Sequence, residues 1–233
     1  MIEAEWWEYD DRDEMAAAVA GDISFIIESA LDARGESLVA FPGGSTPQPV
    51  FEKLAQKDLP WKRVTIIPGD DRLVPVDSDL SNIRSIAQAM ISTGARIYPI
   101  AAENDDYVMA GQAADARLKS LKWPPDVVWL GMGLDGHTAS LFPGPDLEAA
   151  MDAPKTKLAM GIRPDPMPPE APVDRVSLTR AAILQARAIT VSITGQEKRE
   201  LLEAGLEDGQ SSKLPIVRVL AESELPVDIH WAP

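Results

Sequence analysis

Residues 126–144 read DVVWLGMGLDGHTASLFPG: an apolar run closing on Leu130, then Gly131, Gly133 and Gly136, and then His137. A short unbroken apolar run ended by glycine is the pattern of a strand buried on both faces, as strands of a parallel sheet are. The glycines that follow free the backbone to turn and to approach a ligand closely. Further apolar runs of strand length lie at 37–41, 64–68, 157–162, 188–194, 216–219 and 227–231, with a possible edge strand at 2–9. Between them, stretches 11–34, 47–56, 80–91, 107–121, 179–185 and 196–204 read as helices, the first with Met15, Val19, Ile23, Ile26, Ile27 and Ala30 at three-to-four spacing and Gly35 to end it. Alternation of this kind predicts an α/β domain on a mostly parallel sheet. No composition shift or fixed-period repeat divides residues 1–233, so one domain is expected. Residues 163–172 hold Pro164, Pro166, Pro168, Pro169 and Pro172, a density that forbids helix or central strand and reads as a surface connection.

Composition narrows the function. Twenty-two Lys plus Arg stand against 37 Asp plus Glu, a net charge of −15, which argues against nucleic acid or an anionic membrane as partner. An anionic small substrate would need a local basic cluster. Cysteine is absent, which removes disulfides, thiolate metal sites and a catalytic thiol. The opening MIEAEWWEYDDRDEM is acidic where a secretory signal is basic and then apolar, and no segment offers the ~18 apolar residues of a membrane span. A cytoplasmic protein is the expectation.

Open α/β sheets bind ligands beyond the carboxyl ends of their strands, so residues that directly follow apolar runs carry the chemistry. After the run at 37–41 comes Pro42-Gly43-Gly44-Ser45-Thr46-Pro47. Ser45 or Thr46 could cap the next helix, Pro47 suits its first turn, and the N–H groups of Gly44, Ser45 and Thr46 could cradle an anion. Neither the dinucleotide fingerprint nor the Walker loop is present. After the run at 64–68 come Asp70, Asp71 and Arg72, with Ser81 and Asn82 further on. They read either as a solvated turn or as an arginine pre-positioned by carboxylates for an anionic or carbonyl oxygen.

His137 is one of only two histidines, and it follows the 126–130 run with Asp135 two residues before it. An imidazole can take and return a proton near neutral pH, whereas a lone histidine beside an apolar run is more often structural. The strand-end position favours catalysis. His230, in the terminal run, reads as packing. Thr194 and Glu197 have capping-box spacing, which places Lys198 in the first turn of a helix where the dipole disfavours a cation. A bound anion would remove that penalty. One histidine without a zinc-motif spacing makes a metal site on Asp70, Asp71, Asp135 and His137 a poor reading.

Taken in order, GGSTP, DDRLVP with SN, GMGLDGHTASLFPG, RVSLT and TGQEK resemble the 6-phosphogluconolactonase family from about Val39 to the C-terminus. The resemblance implies a Rossmann-like α/β fold, with helices on both faces of the sheet. It also implies hydrolysis of 6-phospho-D-glucono-1,5-lactone to 6-phosphogluconate, the second step of the oxidative pentose phosphate pathway, with no required cofactor. Family members usually read Asp-Glu-Arg where this chain has Asp70-Asp71-Arg72. Related glucosamine-6-phosphate deaminases carry a glutamate five residues after the histidine, where this chain has Phe142. A non-catalytic sugar-phosphate sensor would keep the phosphate ligands and lose the base.

Opening a lactone requires an activated water, a donor for the oxyanion, a proton for the leaving ring oxygen and, with a phosphate on the substrate, a remote handle. His137 is the expected base and Asp135 its orienter, unless Asp135 only holds the loop. Arg72 is the expected ligand of the carbonyl oxygen, with Gly43, Gly44, Ser45, Arg175 and Lys198 at the phosphate. The sequence leaves open an exchange of roles between Arg72 and Arg175. Asp70, Asp71 and Asn82 are expected as supports.

Overall fold

The computed structural model describes residues 2–101 and 106–233. Along the chain these form β1 (Ala4–Glu8), α1 (Arg12–Arg34), β2 (Ser37–Phe41), α2 (Gln48–Ala55), β3 (Val64–Pro68), β4 (Asp70–Arg72) and α3 (Asn82–Met90). There follow β5 (Arg96–Ile97), α4 (Tyr107–Lys119), β6 (Val127–Leu130), α5 (Leu147–Met151), β7 (Ala159–Ile162), β8 (Arg175–Leu178) and α6 (Arg180–Ile183). The chain ends with β9 (Ile189–Thr194), α7 (Gln196–Asp208), α8 (Pro215–Leu220) and β10 (Val227–Ala232).

Seven strands make one parallel sheet in the order β1-β10-β9-β6-β2-β3-β5. Successive residues of β2 face opposite cores: Val39 and Phe41 pack with Val19 and Ile23 of α1 and Phe51 of α2, while Leu38 and Ala40 pack with Ala114 and Leu118 of α4. A two-residue side-chain period with both faces covered is what makes β2, β3 and β6 predominantly apolar, with Ser37 and Thr65 the polar residues among them. Helix α1 is the clearest local match of sequence to structure. The Asp11 carboxylate accepts the N–H groups of Asp13 and Glu14, both at 2.9 Å. Gly35, at φ 77°, closes the other end by donating to Leu31 O at 2.8 Å.

The order of the sheet locates the site. From β2 the chain moves outward through β3 to β5, then returns to place β6 on the other side of β2 and continues outward to β9 and β10. The reversal lies between β2 and β6, whose carboxyl ends carry the 42–47 loop and the 131–137 loop. Crevices at such switch points are where open α/β sheets bind ligands.

Besides the short β5 and α5, which the sequence did not suggest, the reading of two apolar runs differs from expectation. A second, three-stranded antiparallel sheet, β4-β8-β7, stands beside the carboxyl ends of the main strands. Gly69 joins the two sheets, donating to Phe41 O of β2 at 2.8 Å and accepting from Leu178 N at 2.9 Å. The run at 157–162 therefore contributes β7 to this small sheet rather than to the parallel one. The run at 216–219, expected as a strand, is helix α8. Pro215 suits the first helical turn, and Ile216, Val217, Val219 and Leu220 are all buried. A short apolar run has no period of its own, and the β-branched residues tip the reading toward strand. The 163–172 segment is irregular, as its prolines require. Among the described residues no helix is long and apolar enough to cross a membrane.

Candidate active site

A cavity of about 250 Å³ opens at the switch point. Its walls include the 42–47 loop, Asp70, Arg72, Asn82, Gly131 to Gly133, His137, Arg175 and Lys198. Except for Asp71 and Asp135, it gathers every residue expected at the site.

The 42–47 loop supplies backbone donors. Pro47 occupies the cap position of α2 with no side-chain cap bond, so neither Ser45 nor Thr46 caps the helix as expected. Their N–H groups and that of Gly44 have no hydrogen-bond partner among the described residues. Three consecutive free donors at a helix N-terminus form an anion cradle. The loop lies tight against its neighbour: a Cβ on Gly43 would stand 1.9 Å from Asn82 Oδ1, so only glycine fits.

Arg72 is held by carbonyl oxygens rather than by the adjacent carboxylates. Its Nη1 donates to Asn82 Oδ1 at 2.6 Å and to Leu80 O at 3.0 Å. Asn82 in turn donates through Nδ2 to Asp70 O at 2.8 Å and Asp70 Oδ1 at 3.2 Å. Ser140 Oγ donates to the other oxygen of Asp70. Asp71 is occupied elsewhere: it accepts the N–H groups of Arg72 at 2.9 Å, Asn82 at 2.7 Å and Ile83 at 3.2 Å, and so fastens the start of α3. Burial pushes its carboxyl up to about 6, against the pull of those donors. The expectation that carboxylates pre-position Arg72 is thus corrected, since Asp70 acts through Asn82 and Asp71 through the backbone.

His137 sits on a tight loop in which Gly133 N donates to His137 O and Gly136 N to Gly133 O, each at 3.0 Å. Nδ1 lies 2.5 Å from Asp135 Oδ1, and the same oxygen accepts the backbone N–H of His137 at 3.1 Å. Burial works against the Asp135 carboxylate, but the hydrogen bond and charge of His137 outweigh it and hold the carboxyl below its ordinary value. With Nδ1 engaged, Nε2 has no partner among the described residues. Gly133 makes room for the ring, since a Cβ there would stand 2.2 Å from Cε1 and Nδ1.

Two more cations line the cavity. Arg175, on β8, is 2% exposed and donates through Nη2 to Ala171 O at 3.0 Å, while its Nε is unpartnered. Burial lowers its pKa. Lys198 lies in the first turn of α7, as expected, but the cap is Gly195 and the box between Thr194 and Glu197 does not form. Burial, with Arg12 nearby, lowers the Lys198 ammonium below its ordinary value. A half-buried lysine without an acceptor, at the positive end of a helix, is electrostatically suited to an incoming anion.

Some functional neighbours escaped the sequence reading. Trp129 lines the cavity and donates to Ser192 Oγ at 2.8 Å. Phe142 packs against both His137 and Arg175. Ser140 anchors Asp70. For Trp129 and Ser140 the only sequence signal is nearness to the 131–137 loop, and for Phe142 it is the absence of the deaminases' glutamate. His230 lies away from the cavity, buried at 1% exposure and bonded through Nδ1 to Tyr9 Oη at 2.9 Å. Among the described residues, no three His, Asp or Glu side chains are grouped as a metal set.

Comparison with known proteins gives a consistent result. Residues 10–231 match the family described as glucosamine-6-phosphate isomerases/6-phosphogluconolactonase. A 6-phosphogluconolactonase of Rhizobium meliloti is 34% identical over 97% of this chain and 97% of its own. One from Pseudomonas putida is 35% identical over 96% of this chain and 90% of its own. The crystal structure of a 6-phosphogluconolactonase from Shewanella baltica superposes with a TM-score of 0.91 at 31% identity, covering 99% of this chain and 98% of that one.

Proposed function

The chain belongs to the glucosamine-6-phosphate isomerase/6-phosphogluconolactonase family, and from that premise we propose how its residues carry out the reaction. The chain is an enzyme that hydrolyses 6-phospho-D-glucono-1,5-lactone to 6-phospho-D-gluconate, in the second step of the oxidative pentose phosphate pathway. We place this reaction in the cytoplasm. The observation that carries the mechanistic reading is the Asp135–His137 pair, 2.5 Å apart, with His137 lining the cavity that also holds Arg72, Arg175, Lys198 and the free N–H groups of the 42–47 loop.

His137 Nε2 takes a proton from water as the water oxygen attacks the lactone carbonyl carbon. Asp135 stabilises the imidazolium that results. The carbonyl π electrons move onto oxygen, where Arg72 donates to the developing oxyanion, its guanidinium held ready by Asn82 and Leu80. As the carbonyl re-forms, the bond to the ring oxygen breaks and His137 returns its proton to that oxygen. The phosphate is held by the N–H groups of Gly44 and Ser45, by Arg175 and by Lys198, with Gly43 letting the loop lie close. An acidic protein thus concentrates its local positive charge where a dianion must dock.

Acid release on adding freshly generated 6-phosphogluconolactone tests the reading, with spontaneous opening of the same lactone subtracted. Protein-dependent acceleration that scales with enzyme concentration is the expected result. A rate equal to the blank would overturn it.

A further inference from the structure

The ring of Phe142 touches both ends of the proposed machinery. Its centroid lies 4.0 Å from that of the His137 imidazole, with 24° between the planes. The Arg175 guanidinium carbon lies 4.7 Å from the same centroid. Phe142 itself is 5% exposed. Its segment is firmly held: Leu141 N donates to Thr138 O at 2.9 Å, Phe142 N to Ser140 O at 3.1 Å, and Ser140 N to Ser177 Oγ of β8 at 3.1 Å.

We propose that Phe142 is a positioning residue for the hydrolysis, one buried ring that fixes the imidazole of His137 and the guanidinium of Arg175 together. An aromatic face carries negative charge density and attracts cations. Arg175 needs that contact, because among the described residues its guanidinium makes a single hydrogen bond, to Ala171 O, and its Nε has no acceptor. His137 becomes a cation beside the same ring each time it takes a proton from water. The stacked contact also sets the plane of the imidazole, while Asp135 fixes only its Nδ1 edge. A leucine would keep the position apolar, in a smaller volume, without a negative face and without a plane to stack on.

The proposal rests on the lactonase reading for the meaning of a change in turnover, so its test includes a signal independent of activity. Phe142→Leu should lower kcat about 10-fold and raise KM, since it loosens the base and a phosphate ligand together. Replacing Phe142 by 3,5-difluorophenylalanine, which keeps the shape and weakens the ring charge, should lower kcat/KM about 3-fold. Proton NMR should show the His137 Nδ1–H of the Asp135 bond far downfield in the native protein, and shifted or broadened in Phe142→Leu. Native kinetics together with an unchanged imidazole resonance in Phe142→Leu would overturn the proposal. If Phe142→Leu does not fold, the difluoro protein decides by the same criteria. If the native protein does not accelerate lactone opening, the lactonase reading falls, and the resonance still reports whether Phe142 holds the imidazole.

Discussion

Asp135 Oδ1 accepts from both the backbone N–H of His137, at 3.1 Å, and its ring Nδ1, at 2.5 Å. A single carboxylate oxygen therefore fixes the residue at its main chain and at its ring. The proton on Nδ1 is committed to this bond, which makes Nε2 the acceptor and directs the base at the cavity.

Asp135→Asn removes the charge that stabilises the imidazolium and keeps the side chain's size. We expect kcat for 6-phosphogluconolactone to fall at least ~10-fold with KM changed little. A native kcat would make Asp135 a loop residue only.

Lys198→Ala and Arg72→Ala should fail in different ways. Losing Lys198 should cost at least ~1.5 kcal/mol in kcat/KM for the phosphorylated lactone, the scale of a charge-assisted hydrogen bond. The rate with unphosphorylated glucono-1,5-lactone, slow from the start, should hardly change. Losing Arg72 should lower kcat about 10²-fold for both lactones, as removal of an oxyanion donor does. The reverse pattern would exchange the two roles.

His230 gives the fold a pH dependence separate from catalysis. Burial lowers its pKa from 6.5 to about 4, and the negative charge of Asp228, which pulls the other way, does not offset that. The unfolded chain binds a proton at this position near 6.5 and the folded chain does not, so stability is lost as pH falls from 6.5 toward 4. The loss from this group reaches about 3 kcal/mol. Asp71, raised to about 6, has the opposite sign in the same range, its cost falling as pH falls. Urea unfolding of native protein and His230→Phe at several pH values isolates the histidine, because Asp71 is common to both. The native advantage should shrink on acidification. A constant difference between pH 7 and pH 4.5 would contradict the assignment.

Much of this arrangement was legible in the chain. Strands β2 and β3 follow their runs residue for residue, because a strand covered on both faces is mostly apolar and stands out from its flanks, Ser37 and Thr65 being the polar residues within these two. The small sheet was not legible: Asp70-Asp71-Arg72 is short and polar, and it becomes β4 only by pairing with Arg175–Leu178, about a hundred positions away. At the site, the glycines around His137 announced a strand-end loop, and Asp135 followed from its nearness in sequence. The route from Asp70 through Asn82 to Arg72 was hidden, because it depends on where α3 starts in space. Phe142 looked informative only as the absence of a carboxylate, and its ring contacts needed coordinates.

The central claim is that His137 is the base and not a packing residue, and His137→Ala tests it most directly. The variant's kcat on 6-phosphogluconolactone, corrected for spontaneous opening, is to be measured beside its affinity for 6-phosphogluconate by calorimetry. A folded variant with kcat lower by ~10²–10⁴-fold and nearly native product affinity is the predicted result, since the phosphate ligands remain in place. Near-native turnover in the folded variant would contradict the account.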